Sequence, residues 1–383
     1  MKCIQCNVDN NLKDRTANQG RCKNCKHPFA FEPTSMEGKL KFTDGFFAKA
    51  LADVSANGTL YFTRKQLLYL LEKRLLRKAR ISSASFLIGL FIILANFVGM
   101  GILASNRLGW TVPIFMILCT VGIIFLAQRF ERRFLRPKKL NKRVLIADAM
   151  LDIWLKRWEQ FNGSPARLLS LPSASASLAP AASDDVTAYS FDRVLVCDSV
   201  AIAQLLIANN IHFEHNCAVL SISGYPQAIF ATTMAMLRRN PDLQVIALHN
   251  CSPSGVALIN ELRTSPDWYL DSGQVIFDLG LLPRQVAAAR GHAYIQVSAD
   301  SAQRALVMPP EVVKQLSATD LKWLEAGYFV DLESFTPQKL MHIVSQGIRR
   351  MQNLGEDVGD NLILVGGFGS DDVTFVYASD NFG

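Results

Sequence analysis

The chain carries little charge for its size. Only 19% of its 383 residues are Asp, Glu, Lys or Arg, and half are hydrophobic, so the composition excludes an intrinsically disordered chain. It has no collagen-like repeat, and its eight cysteines are too few for a disulfide scaffold. It also lacks a glycine-rich loop of the kind that holds phosphates. The length predicts two or three domains rather than one.

The formal net charge of +7 arises locally. Two basic segments, residues 64–80 and 129–143, hold 15 of the 40 basic residues and only two of the 33 acidic residues. From residue 190 onward, twelve basic and twenty acidic residues give a net charge of −8. Binding of DNA normally requires a basic surface, so we expect no DNA binding by the C-terminal region.

The two basic segments flank the longest apolar runs of the chain. Residues 81–106 are 26 positions without a formal charge, and residues 108–128 add 21 more. A membrane-spanning helix needs about 20 apolar residues, so the pattern predicts a two-helix transmembrane hairpin over residues 83–128. A pair of helices buried inside a soluble domain is the alternative, which we regard as less favoured because two runs of this length rarely adjoin in such a core.

The basic flanks predict an orientation for this hairpin. The positive-inside rule places residues 1–80 and 129–383 in the cytoplasm of an integral membrane protein, in a bacterial inner membrane or its equivalent. The flanks would contact anionic lipid in the bilayer. Small residues within the hairpin would permit close helix contact and hence a homo-oligomer; they are Gly89, Ala95, Gly99 and Gly101.

Four cysteines near the N terminus form two Cys-x-x-Cys motifs. Fifteen residues separate Cys3 and Cys6 from Cys22 and Cys25, a spacing typical of a zinc ribbon, here over residues 1–35. Disulfides are the alternative, which a reducing cytoplasm disfavours. So short a segment has almost no hydrophobic core, so one structural Zn²⁺ per chain would supply folding free energy on the order of 10 kcal/mol. His27 is interpreted as an exposed bystander.

Helices are predicted on both sides of the apolar runs. Residues 43–82 contain a short helix and then a basic helix over residues 64–80, with Thr63 as its N-cap. Residues 129–161 contain a helix over 144–160, and its apolar face is predicted to comprise Leu145, Ile146, Ala149, Ile153 and Trp154. Residues 162–189 are rich in Ser, Ala and Pro, which predicts a flexible linker.

Residues 190–383 are predicted to form an α/β domain. Strands are expected at residues 194–197, 218–221, 244–249 and 274–278, and helices at 200–209, 226–239, 255–263, 319–326 and 337–351. This alternation predicts a mostly parallel sheet covered by helices on both faces. In such sheets the functional edge lies at the carboxyl ends of the strands.

Three segments of this domain resemble the TOPRIM domain of type IIB topoisomerase A subunits and of the meiotic double-strand-break transesterase. They read RVLVCDSVAIAQLL, CAVLSISGYPQAIFATTMAMLRR and QVIALHNCSPSGVALINELR, and the later VIFDLGLLPRQV resembles the family's Leu-Gly-Leu-x-Pro segment. The resemblance implies a Rossmann-like fold. It also implies a functional edge formed by Asp198, Gly224, Asn250, Ser252 and Gly255.

The chain departs from this family at the positions that matter for its chemistry. The family's first Glu falls on Asp198, and its Asp-x-Asp falls on the neutral residues Asn250 and Ser252. Tight binding of Mg²⁺ needs more than the one carboxylate that remains. The region that carries the family's nucleophilic Tyr is replaced, and Tyr61 and Tyr69 are interpreted as interfacial. We therefore expect a catalytically degenerate domain without a catalytic residue or a tight Mg²⁺ site.

Two His-Asn-Cys triplets, at residues 215–217 and 249–251, are open to two interpretations. His249 and Cys251 could form a thiolate–imidazole pair or a second metal site at the functional edge. Ordinary packing of buried cysteines is the alternative and is favoured.

The leading hypothesis is a membrane-anchored interaction or scaffold protein that is not an enzyme and whose protein partner the sequence does not identify. One alternative is a membrane-tethered nuclease or phosphotransfer enzyme that uses Asp198 with acids such as Asp278, Asp320 or Glu333. The other is a sensor that binds a nucleotide or another small ligand at the strand ends.

Overall fold

Four short runs of β-branched and aliphatic residues form the central sheet. The computed structural model describes residues 1–36, 40–76, 146–170, 191–240, 242–268, 274–288 and 294–353. The strands are β1 (Arg193–Cys197), β2 (Cys217–Ser221), β3 (Gln244–Leu248) and β4 (Ile276–Asp278). They lie in the order β2-β1-β3-β4, and every neighbouring pair is parallel. The predicted parallel α/β sheet is confirmed.

Helices cover both faces of this sheet. The helical segments are Val200–Ala208, Ile211–Glu214, Gln227–Arg239, Pro253–Val256, Leu258–Thr264, Pro283–Ala288, Ala299–Leu306, Pro310–Gln315, Ala318–Glu325, the 3₁₀ turn Leu332–Ser334 and Pro337–Asn353. A second, antiparallel sheet pairs β5 (Gln296–Val297) with β6 (Tyr328–Phe329). All four predicted strands and four of the five predicted helices are found with bounds that differ by a few residues at most, whereas the helix predicted at 255–263 is divided into Pro253–Val256 and Leu258–Thr264.

Alternate residues of the strands enter two separate hydrophobic cores. Leu195 and Ile246 face one core, which is closed by the helices Val200–Ala208 and Pro337–Asn353. Val194 and Val245 face the other, which is closed by Gln227–Arg239 and Leu258–Thr264. Side chains that alternate across a strand explain this division, and burial on both faces explains why β1 and β3 are almost wholly apolar.

Three helices of the N-terminal half share one aromatic core. They are Asp44–Val54, residues 64–76 and Asp148–Asn162. Phe31, Phe42 and Trp158 lie in this core. The face predicted for the last helix is only partly right: Trp154 is buried as predicted, but Ile153 is 64% exposed, and the helix also buries Leu151, Leu155 and Trp158. The large indole rings, which stack with the phenylalanines, determine which side of the helix turns inward.

Thr63 caps the helix that begins at residue 64, as predicted. Its Oγ1 accepts a hydrogen bond from the backbone N–H of Gln66 at 3.2 Å, and the Gln66 side chain accepts from the N–H of Thr63 at 3.0 Å. These reciprocal bonds form a capping box.

At the other end of this half, residues 163–170 of the predicted linker pack against Phe62. Two backbone hydrogen bonds join them, from Phe62 N–H to Arg167 O and from Leu169 N–H to Phe62 O. Residues 171–190 lie outside the described part of the chain.

The transmembrane prediction requires a correction. Within the described ranges, no helix is both long enough and apolar enough to cross a bilayer. The hairpin predicted over residues 83–128 itself lies outside those ranges. On this finding we withdraw the prediction of an integral membrane protein, together with the orientation, lipid contacts and hairpin-mediated homo-oligomer that depended on it.

The described part of the first basic flank also has a role other than the predicted contact with anionic lipid. Arg64 pairs with Asp152, and Arg74 pairs with Asp53. Lys65 lies 3.6 Å from a carboxylate oxygen of Glu333. Three of the four basic side chains that the structure describes in this helix are therefore directed to acidic side chains of the protein itself.

Candidate functional site

The four N-terminal cysteines lie on two similar turns. Cys3 donates its N–H to the carbonyl of Val8, and Cys22 donates its N–H to the carbonyl of His27. Each turn passes through one residue with a positive φ of 58°, Asn7 in the first and Lys26 in the second. The two turns bring their thiols together so that all four sulfur atoms lie within 4.8 Å of one another.

This arrangement fits a tetrahedral metal ion. The Sγ atoms of Cys3 and Cys25 are 3.6 Å apart, as are those of Cys6 and Cys22. Four sulfurs at about 2.3 Å from Zn²⁺ would be about 3.8 Å apart. Burial raises the pKa of Cys22, but the backbone N–H groups of Cys25 and Asn24 outweigh it and lower that pKa. The N–H of His27 lowers the pKa of Cys25, but burial and the three neighbouring thiols outweigh it and raise that pKa. The cluster can therefore hold a metal ion.

The cluster is anchored to the helical module beside it. Asn10 donates its amide N–H to Cys22 Sγ at 3.4 Å and accepts from the N–H of Lys23 at 2.8 Å. His27 is half-buried rather than exposed, and its Nε2 lies 3.1 Å from the amide oxygen of Asn162. The fully buried carboxylate of Asp44 accepts the backbone N–H groups of Ala30 and Phe31, which lie a few residues after the second turn.

The second site lies at the carboxyl edge of the sheet, where Asp198 follows β1 and Asn250 follows β3. The Oδ2 atom of Asp198 accepts the backbone N–H of Asn250 at 2.8 Å. The side-chain oxygen of Asn250 accepts the N–H of Leu332 at 2.6 Å. Asp198 Oδ1 is buried and has no hydrogen-bond partner among the described residues. Burial raises the pKa of Asp198 to about 6, although the N–H of Asn250 and the charge of His249 act to lower it.

Ser252 and Gly255 shape the turn that follows β3. The Ser252 hydroxyl accepts the N–H of Gly255 at 3.0 Å and so caps the helix Pro253–Val256. A Cβ atom at position 255 would lie 2.1 Å from the carbonyl oxygen of Asn250, so only glycine fits there. Both residues hold the backbone in place.

Gly224 occupies the corresponding turn after β2. Its φ is +79°, which glycine adopts without strain, and the following Tyr225–Pro226 bond is cis. Ser221 donates its N–H to the carbonyl of Tyr225 at 2.7 Å, and its hydroxyl lies 2.8 Å from that of Ser223. The predicted edge residues thus lie on neighbouring strand ends, and the hydrogen bond between Asp198 and Asn250 joins the end of β1 to the end of β3.

His249 links β3 to β4 at the same edge. Its Nε2 lies 3.1 Å from Oδ1 of Asp278, and its Nδ1 lies 2.8 Å from the carbonyl oxygen of Asn250. The side chain is 1% exposed. Burial lowers the pKa of His249, but the charge of Asp278 outweighs it and raises that pKa to about 9.

The other acidic candidates are committed elsewhere. Asp320 is buried 3.9 Å from Arg284. Glu333 accepts the hydroxyl proton of Thr63 at 2.7 Å. Only Asp278 adjoins the edge, and its carboxylate faces His249.

The thiols of the two triplets are packing groups, as the favoured interpretation predicts. Burial raises the pKa of Cys251 well above its usual value and that of Cys217 to about 12, so neither is a thiolate near neutral pH. His215 bonds to Ser345 through Nε2 at 2.8 Å, and burial lowers its pKa.

The sequence analysis missed the segment that seals this edge. Cys251 exchanges backbone hydrogen bonds with Val330, and Leu332 bonds to Asn250. Asp331, between them, accepts the hydroxyl proton of Tyr69 at 2.5 Å. The two acidic residues that follow the short apolar run at 328–330 were the sequence signal that could have revealed this segment.

A scan against known protein-family models and a search of curated proteins both found no match for this chain.

Proposed function

We propose that this protein is a non-enzymatic interaction protein that combines a structural zinc ribbon with a catalytically degenerate TOPRIM-like domain. The membrane anchor of the original hypothesis forms no part of this proposal. The four-cysteine cluster would hold one Zn²⁺ per chain, because four thiols and no open ligand position are typical of structural zinc.

The observation that carries the proposal is the use of the edge residues by the protein itself. Asn250 and Ser252 stand where the resembling family has its Asp-x-Asp. Here the side-chain oxygen of Asn250 accepts the backbone N–H of Leu332, and the hydroxyl of Ser252 caps a helix. Groups that would face a substrate-bound metal ion in an active enzyme are engaged in holding the fold together.

Contacts between the two halves support a role as one assembled unit. Thr63 donates to Glu333 at 2.7 Å, Gln66 donates its amide N–H to the carbonyl of Phe335 at 3.1 Å, and Gln296 donates to the Tyr69 hydroxyl at 2.7 Å. Buried polar contacts of this kind fix a geometry. The ribbon would therefore be presented at a defined position relative to the α/β domain.

Charge argues against nucleic acid as the partner of the α/β domain. The net charge of −8 from residue 190 onward would repel a polyanion. A protein partner is consistent with this charge.

The test is a Mg²⁺ titration and a DNA-nicking assay on the full chain. We expect wild type to show neither tight binding nor nicking, whereas Asn250→Asp with Ser252→Asp should create measurable Mg²⁺ binding. Both substitutions keep the local hydrogen bonds, because aspartate accepts the N–H of Leu332 as asparagine does and is a good N-cap.

A matched control adds two carboxylates away from the edge. Asn240 accepts the N–H of Asp242, and Ser317 caps the helix Ala318–Glu325. Asn240→Asp with Ser317→Asp should therefore leave Mg²⁺ binding unchanged. Nicking by wild type that Asp198→Ala abolishes would instead show an active enzyme.

A further inference from the structure

The imidazole ring of His249 is placed so that both of its nitrogens face acceptor oxygens. Nδ1 lies 2.8 Å from a backbone carbonyl, which has no proton to donate. Nε2 lies 3.1 Å from Oδ1 of Asp278, which also accepts the backbone N–H of Gly280 at 2.8 Å. A neutral imidazole has only one N–H, so it would leave one of these contacts as a lone pair facing an oxygen. The doubly protonated, positively charged ring satisfies both.

The surroundings hold the ring in this position. A Cβ atom at position 280 would lie 2.1 Å from the His249 ring, so the absence of a side chain at Gly280 makes room for it. The ring is 1% exposed, and both nitrogens are engaged, so it lacks a free nitrogen for proton transfer to a substrate.

The charges around the ring are mainly negative. Asp278 is in direct contact, and Asp198 lies close enough to interact with the ring electrostatically. Beyond them, the charge of Asp331 acts to raise the pKa of Asp198, and the charge of Arg284 acts to lower the pKa of Asp278. The pKa of Asp278 is lowered: its burial works against this, but the charge of His249 outweighs it.

We propose that His249 is a built-in cation that takes the place of a metal ion at the carboxyl edge of the sheet. The proposal deepens the proposed function and rests on it in one respect, namely that the edge carries no catalytic metal. An imidazolium supplies the positive charge that two neighbouring carboxylates require once they are removed from water. The ring also links the end of β3 to the end of β4, through its contact with Asp278.

His215 provides an internal comparison, because it begins the same His-Asn-Cys triplet. Its Nε2 bonds to a serine hydroxyl, which can donate as well as accept, and burial lowers its pKa. Two histidines in the same local sequence should therefore differ in charge near pH 7.5, with His249 positive and His215 neutral.

The first experiment measures the protonation of both rings in the wild-type full chain. Histidine labelled with ¹⁵N should show protons on both nitrogens of His249 at pH 7.5, with the loss of one proton only near pH 9, while His215 is neutral at pH 7.5. Assignment would use His249→Gln and His215→Gln. A neutral His249 ring at pH 7.5 would overturn the proposal.

The second experiment removes the His249 ring and adds Mg²⁺ or imidazole from solution in its place. In the full-length His249→Ala variant, the uncompensated carboxylates should bind Mg²⁺ at least tenfold more tightly than wild type, and added imidazole should raise the melting temperature. Neither probe should affect His215→Ala in this way. A folded His249→Ala protein that matches wild type in both responses would contradict the proposal. The proposed function is tested by a different measurement, since DNA nicking by wild type would contradict it whatever the charge of His249.

Discussion

The cysteine cluster and the carboxyl edge of the sheet both bring acidic groups close together, but they differ in where the balancing positive charge would come from. At the ribbon, four thiols converge within 4.8 Å, and no cationic side chain of the described residues is among them. At the edge, the acidic groups Asp198 and Asp278 are met by a backbone N–H and by an imidazole ring. The first site offers four ligand atoms to a cation from solution, whereas the second is satisfied by the protein itself.

This difference explains why the two sites should respond differently to loss of metal. Clustered thiolates without a metal ion repel one another, and a short ribbon has little hydrophobic burial to offset that repulsion. The edge lies above two hydrophobic cores, and its polar groups are bonded to backbone that those cores hold. Chelation should therefore affect the ribbon and leave the sheet intact.

The largest expected effect is that of Cys22→Ser. We expect wild type to bind one Zn²⁺ per chain and the variant to bind far less, because a serine hydroxyl is a poor replacement for a thiolate ligand. The ribbon should unfold, and its turns should become sensitive to protease, while the α/β domain stays folded. Elemental analysis and limited proteolysis of the full chain measure this.

Cys217→Ser is the matched control, since Cys217 is a buried cysteine outside the cluster. Its zinc content should equal that of wild type. A wild-type protein prepared under reducing conditions with almost no zinc would remove the basis of the comparison.

Local patterns of the sequence were sufficient to predict the cysteine cluster and the sheet. The spacing of Cys3, Cys6, Cys22 and Cys25 predicts two turns that face each other, and the structure brings the four sulfurs together. Short apolar runs that alternate with amphipathic helices predict the strands to within a few residues. Both signals depend on residues close together in the chain.

Contacts between distant residues could not be predicted in this way. Tyr69 and Asp331 are 262 positions apart, and no periodicity links them. The pairing of His249 with Asp278 depends on β3 and β4 being neighbours, which only the strand order reveals. The ion pair between Lys65 and Glu333 was missed for the same reason, because these residues are far apart in the sequence.

A smaller effect is expected for Asn250→Ala at the edge. The variant leaves the buried N–H of Leu332 without its acceptor, which should lower the free energy of unfolding by about 2–3 kcal/mol. Zinc content should not change, because the ribbon is a separate site. Asn250→Asp keeps the acceptor and is the control for denaturant unfolding. A loss of zinc in Asn250→Ala would show that the two sites are coupled rather than independent.

The smallest expected effect is a gain of stability in Asp198→Asn. The pKa of Asp198 is raised from 3.8 to about 6, so this group favours folding below pH 3.8 and loses that contribution as the pH rises through 6. A shift of about two units corresponds to about 3 kcal/mol, but the new amide N–H₂ occupies the position of an atom without a partner. We therefore expect unfolding at pH 8 to require about 1 kcal/mol more than in wild type, and the decline between pH 4 and 6 to flatten. Unfolding curves of both proteins across this range measure the difference, and a less stable variant at pH 8 would mean that the edge needs this carboxylate as the counter-charge of His249.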